Sequence, residues 1–385
     1  MKSLLAPLAL AALSPLALLA PCEGEPSDPA VCLRAPRGDG PRFVVVSHPY
    51  TSSAAPASVW EVLSLATDGT LSQTGTTFEM GRATEGRVHF TPDGLVGVVV
   101  QEDGDLGVFT LDEAGQPTVV HTSFTGEFYA GAVVMGPEGD RIWVLDTNWR
   151  ENGGGITELT LHCDGHLSSE YFLTASKLPY AMAPVGDGTW LLAAVDVDDS
   201  PPGDDGHLLT LEGGAERVDG LDVFGDDDGI YTFAAVSPDG RLGLIGDNNL
   251  FSGTGNRIGV ADLGQMVARP TLELEDPVDL AFSPSGATAL AVSGYGDALF
   301  ELAVDPSLST PVRVVKQVAY VGGRPQLPST AAALTAGELT GTVLVSENTA
   351  VRRLVFPASG GIVDKGPFSF GSGYTAIVGA MGVQP

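Results

Sequence analysis

A chain of 385 residues is long enough for two ordinary domains or one large repeat domain. Its 48 acidic and 19 basic residues leave a formal charge of −29, which repels phosphate backbones and excludes nucleic acid as a partner. The 50 glycines and 27 prolines follow no three-residue period and fall between alternating apolar runs, so they read as turns rather than as disorder.

The first element is an apolar run from Leu4 to Leu19 behind Lys2, and residues 1–22 are expected to be an export signal. Leu19-Ala20-Pro21-Cys22 resembles the bacterial lipobox, which implies a lipid on Cys22 as the only link to a membrane. Ordinary secretion is the alternative, and either route places the protein in the periplasm or at the outer cell surface. Three cysteines leave two pairings open. With Cys22 acylated, Cys32 pairs with Cys163; otherwise Cys22 pairs with Cys32 and Cys163 stays free and inert. Residues 23–41, rich in proline, glycine and charge, read as a tether.

From Arg42 to the end the composition does not break, so residues 42–385 are one expected domain. Two turn signatures recur in it. The first is Thr91-Pro92-Asp93-Gly94, repeated as Gly136-Pro137-Glu138-Gly139, Ser237-Pro238-Asp239-Gly240 and Ser283-Pro284-Ser285-Gly286. Weaker copies are Gly186-Asp187-Gly188 and Thr335-Ala336-Gly337, and the period is about 48 residues. The second signature is a period-2 apolar run before a tight turn. It begins with Trp60–Leu63 before Asp68-Gly69 and ends with Arg353–Phe356 before Gly360-Gly361, in seven copies. Four-stranded units of this length predict an all-β fold, a seven-bladed β-propeller of antiparallel blades.

We letter the strands of a blade a to d from the axis outward. The first signature joins a to b and occurs six times; the second joins c to d and occurs seven times. Blade 1 therefore starts at its b strand, Phe43–Ser47, and the C-terminal strand Tyr374–Met381 is expected to complete it and close the ring.

In such a meander the a–b and c–d turns share one face, and the b–c and d–a loops share the other. The varied loops all fall on the second face, the candidate binding face. Carboxylates concentrate there on blades 3, 4 and 5. Asp146, Asp196, Asp198, Asp228 and Asp247 are the candidate ligands for Ca²⁺, with Asn148 beside them, because hard oxygen donors suit that ion. The competing reading is a solvated acidic rim. Tyr129, Tyr180, Tyr231 and Tyr374 recur near the starts of a strands, either packing around the axis or lining a ligand pocket on it. His162-Cys163-Asp164-Gly165-His166 occupies one tight hairpin, which explains it better than zinc does. No Gly-x-Ser-x-Gly nucleophile elbow occurs.

Pro179-Tyr180-Ala181-Met182-Ala183, Tyr231–Gly240 and Pro277–Pro284 resemble the blade pattern of the lactonase-like and YncE-like seven-bladed propellers. The resemblance covers residues 42–385. It implies that fold and, in one branch, hydrolysis of 6-phosphogluconolactone. The His-x-His element of that branch has no counterpart at Tyr129-Ala130-Gly131-Ala132. The leading expectation is therefore a monomeric, non-enzymatic, exported scaffold that binds a protein, glycan or small ligand, with Ca²⁺ assistance. The alternative is a divergent lactonase or hydrolase with its site at the axial mouth.

Overall fold

The b strands of the blades are buried at nearly every position, not at alternate ones. The b strand Val96–Val100 is buried along all five residues. A sheet that stands between two neighbours explains this, because both of its faces need an apolar partner. A computed structural model shows the arrangement. It describes residues 34–48, 58–147, 155–173, 177–186, 188–196, 204–212, 215–225, 229–248, 256–370 and 379–385.

The chain forms seven four-stranded antiparallel sheets arranged as the blades of a ring. The a strands, in blade order, are Met381–Val383, His89–Phe90, Ala130–Met135, Lys177–Gly186, Tyr231–Val236, Pro277–Phe282 and Ala331–Ala333. Seven apolar clusters fill the seven gaps between blades. Period-2 alternation divides each strand between two of them. Val44 and Val46 face blade 7, and Val45 faces blade 2. Each such side chain contributes about 1.5–3 kcal/mol by leaving water.

The six glycines of the first turn signature, from Gly94 to Gly337, all hold φ between 70° and 73°. Only glycine takes that conformation without strain. The Ser or Thr of the signature also has a fixed task. The hydroxyls of Thr91, Ser237 and Ser283 accept the N–H of Val96, Leu242 and Thr288 at 3.0, 2.9 and 3.2 Å.

Ring closure follows the expected route. Met381–Val383 pairs antiparallel with the b strand Arg42–Ser47, so the C-terminal strand is strand a of blade 1. Residues 374–378 of the expected strand, Tyr374 included, lie outside the described residues, and the observed strand starts at Met381, where the expected one ended. The inner edge of Met381 is also paired. Its N–H donates to the carbonyl of Gly86 at 3.1 Å, and its carbonyl accepts the N–H of Val88 at 3.0 Å.

Residues 34–41 of the expected tether dock on the turn face. The Arg34 guanidinium is buried, 3.1 Å from Asp93 and 3.0 Å from the His162 carbonyl. Cys163 is disulfide-bonded, which corrects the reading that left it free. Its partner lies outside the described residues.

Candidate active site

Asp146 and Asp247 end the b strands of blades 3 and 5, and both are essentially fully buried, at 0% and 1% exposure. Each carboxylate accepts the N–H that opens the a strand of its own blade, from Tyr129 at 3.1 Å and from Ile230 at 3.2 Å. Ser47 and Ser346 serve Ala380 and Thr330 in the same way, at 2.7 and 3.0 Å. This position therefore selects a short acceptor that caps the incoming strand. Asp247 also pairs with Arg257 at 3.2 Å. Asp196 ends the b strand of blade 4, while Asn148, Asp198 and Asp228 lie outside the described residues. Among the described residues no three His, Cys, Asp or Glu side chains come together as a metal site.

The tyrosines divide. Tyr129 is 47% exposed and does not reach the axis. Tyr180 and Tyr231 line the axial cavity, edge to face at 5.8 Å. The Tyr231 ring stacks on Phe224 at 5.7 Å, and its hydroxyl donates to the buried Asp205 carboxylate. Burial pushes the Asp205 carboxyl up to about 6, against the hydrogen bonds from Tyr231 and the Phe224 N–H. Burial, with the Asp205 charge beside it, also raises the Tyr231 phenol.

The cavity is the hollow bore of the ring, about 970 Å³, bounded by the a strands of blades 2 to 7. Consecutive residues line it, such as Gly131 to Met135 and Val278 to Ser283. That pattern arises because the a strands of blades 3 to 7 pair in their sheets only on the outer side, so the other backbone edge faces the axis. Small residues, among them Ala181, Ala235, Ala281 and Ala333, leave the space open.

A shared irregularity aims side chains into this bore. The a strands of blades 3, 4, 5 and 6 each carry a register shift at the same height, skipping Gly131, Tyr180, Thr232 and Val278. All four skipped residues line the cavity. A β-bulge re-aims a side chain in this way, and bulges concentrate near functional sites. Asp279 is the first residue after the bulge of blade 6.

The ionisable groups of the bore are Glu85, Arg87, His89 and Asp279. Arg87 and His89 are two residues apart in extended chain leading to the first turn signature. A bend at Glu85-Gly86 returns the Glu85 carboxylate to His89, with Oε1 2.8 Å from Nε2. An ionised carboxylate only accepts, so this contact holds a proton on Nε2, and in the neutral ring the lone pair is on Nδ1. Nδ1 has no hydrogen-bond partner among the described residues. Arg87 donates to Asp279 at 2.6 Å and keeps 41% of its side chain exposed. The Asp279 charge, with a smaller push from Glu85, raises the Arg87 pKa against the effect of burial, so the guanidinium stays cationic.

None of these four residues was a candidate from sequence. The usable signal was Glu85-Gly86-Arg87-Val88-His89, three titratable groups in a stretch where Ala130–Met135 and Ala331–Ala333 have none. The open bore was the missing context, since Glu85 and His89 otherwise resemble a solvated pair.

The fold and bore define a seven-bladed β-propeller with an open axial cavity that carries a small cluster of charged side chains. Solved structures share this fold. A candidate 6-phosphogluconolactonase from Bacteroides uniformis matches over 90% of this chain and 100% of its own, at 12% identity and TM-score 0.64. The periplasmic gluconolactonase PpgL of Pseudomonas aeruginosa matches over 90% and 99%, at 14% identity and TM-score 0.61. Apo AztD from Citrobacter koseri matches over 90% and 99%, at 12% identity and TM-score 0.57. At these identities the likeness is one of fold. No family model and no curated protein matches the chain.

Proposed function

We propose that the protein is a lactone hydrolase working in its axial cavity, outside the cytoplasm. The observation that carries this reading is the Glu85–His89 pair beside Arg87 on the wall of the bore. His89 Nδ1 takes a proton from water as the water oxygen adds to the lactone carbonyl. The Arg87 guanidinium faces the negative charge that forms on the carbonyl oxygen. The ring C–O bond then breaks, the leaving alkoxide takes the proton back from His89, and a hydroxy acid leaves. His89 and Arg87 are the catalytic residues; Glu85 and Asp279 position them. The lactonase-class proteins among the structural neighbours support the reaction class, and the Cys163 disulfide supports an oxidising compartment.

A panel of sugar and aliphatic lactones tests the reading. Wild type should open at least one ring, and His89→Gln should lower kcat/KM by about 100-fold or more, the scale of a lost general base. No turnover by wild type, or full activity in His89→Gln, would sink it.

A second reading has support of its own. Tyr129, Ile230, Tyr295, Val321 and Leu327 are large apolar side chains exposed on the b–c and d–a loop face. They favour a binding scaffold for a protein, glycan or small ligand without turnover. The same panel separates the two, because a scaffold binds without opening the ring.

A further inference from the structure

The charge balance of the bore carries a statement about substrate class. Its four ionisable groups are two carboxylates, one guanidinium and one imidazole, so with His89 neutral the wall holds one net negative charge. The guanidinium is also committed. Arg87 faces Asp279 at 2.6 Å, and Glu85 stands two residues away on the same segment. Proteins that recognise phosphate or carboxylate do so with uncommitted arginines, lysines or helix N-termini. Among the described residues the cavity offers no second strong cation.

The approach to the bore has the same sign. Glu102, Asp103 and Glu275 are exposed on the loop face. Arg82 there is paired with Glu102 at 3.3 Å and Arg257 with Asp247 at 3.2 Å, while the exposed Arg324 donates to the backbone carbonyls of Gly296 and Asp297, so acidic groups still outnumber basic ones on this face. An anion therefore meets a wall of net negative charge, on which the one guanidinium is already partnered by Asp279. An uncharged hydroxylated ring meets no such barrier. The unpaired N–H and C=O groups along the a-strand edges can satisfy its hydroxyls.

We propose that the cavity selects uncharged lactones and rejects phosphorylated or carboxylated ones, with Asp279 as the residue that enforces the choice by holding Arg87. This selection rests on the hydrolase reading for the lactone itself, but the charge preference is measurable without turnover. Asp279 is a specificity residue: its carboxylate neutralises the one guanidinium that could otherwise receive a substrate anion.

The test uses the full mature protein, D-glucono-1,5-lactone and its 6-phosphate, and the corresponding lactams as inert binding probes. Wild type should prefer the uncharged lactone in kcat/KM, and the uncharged lactam in Kd, by about tenfold or more. That is the scale of one unit charge across several ångströms of partly screened space. Raising the salt concentration should narrow the gap by improving only the phosphorylated arm. Asp279→Asn should narrow it at low salt by about tenfold. Glu85→Gln removes a bore carboxylate without touching the hydrogen bonds of Asp279, and should act in the same direction if Asp279→Asn does not fold. A wild-type preference for the phosphorylated probe, an unchanged ratio in a folded Asp279→Asn, or binding of neither lactam overturns the proposal. Binding of the plain lactam with no turnover of either lactone removes the hydrolase reading and leaves the charge selection standing.

Discussion

The guanidinium of Arg87 and the carboxylate of Asp279 meet at 2.6 Å although they belong to blades 2 and 6. Asp279 also accepts the N–H of Leu280 at 2.8 Å and, from blade 7, that of Ala331 at 2.7 Å. The hydroxyl of Thr330 on blade 7 donates to the Gly86 carbonyl of blade 2 at 2.7 Å. These contacts join three blades around the axis and hold the guanidinium still while part of it remains open to the cavity. A donor fixed before the reaction needs no reorganisation when charge appears on a substrate oxygen.

Replacing Arg87 with Met therefore has two expected effects. The kcat for the best lactone should fall by about 100-fold, the usual loss for one oxyanion donor. The Asp279 carboxylate keeps its two backbone partners but loses its counter-charge, which should lower stability by about 1–3 kcal/mol. Urea unfolding and steady-state kinetics on the same preparation check both. A fall in stability with unchanged kcat would make Arg87 purely structural.

Asp205 gives a pH prediction with a definite sign. Its folded-state pKa, about 6, lies above the ordinary carboxylate value because the group is buried at 3% exposure. The folded state thus holds the proton more tightly than the unfolded chain. Stability from this group is fully present below about pH 4 and declines as pH rises through about 6, by about 3 kcal/mol in all. Asp205→Asn keeps an acceptor for the Tyr231 hydroxyl and the Phe224 N–H but does not titrate. Urea midpoints at pH 4.5 and pH 7 should show wild type losing more stability than Asp205→Asn over that interval. Equal losses would remove Asp205 from the pH response.

The Cys163 disulfide predicts sensitivity to reductant. It ties the turn face of blade 3 to the segment before Arg34, whose side chain lies on the Cys163 carbonyl at 3.4 Å. A cross-link that closes so long a loop is worth roughly 2–4 kcal/mol. Thermal unfolding with and without dithiothreitol should show a lower Tm in the reduced wild type, and Cys163→Ser should be low in both. A reductant-insensitive Tm would mean that the bond adds nothing to the folded state.

The blade count and the closing strand were legible in sequence because their causes are local. Gly94 and its five equivalents must adopt positive φ, and Thr91 or Ser237 must accept the first b-strand N–H, so both recur at a fixed spacing. The candidate site was not legible because its causes are not local. Asp279 and Arg87 are 192 positions apart, and only the register of two a strands brings them to one height. The acidic loop residues show the converse. Asp146 and Asp247 attracted notice as carboxylates, but their chemistry is that of Ser47 and Ser346, the capping of a strand. A count of acidic residues cannot tell a cap from a ligand; the burial of the carboxylate and the N–H it accepts can.

Ring closure sets the last prediction. Met381–Val383 joins the two ends of the sequence, pairing with Arg42–Ser47 on one side and with residues 86–88 on the other. Gln384 adds a pin: its side chain accepts the Phe43 N–H at 2.9 Å and donates to the Gly94 carbonyl at 2.7 Å. Gln384→Ala should therefore cost about 1–3 kcal/mol, two partly buried hydrogen bonds, and leave unfolding cooperative. Deleting residues 381–385 is a different perturbation. It exposes the inner edge of blade 1 and removes Met381 from the apolar gap it shares with Val44, Val46 and Leu344. The expected product has lost its single sharp transition, with blades 1 and 7 the first to expose amides to hydrogen exchange. Cooperative unfolding near the wild-type Tm in that truncation would show that the ring does not depend on its last strand.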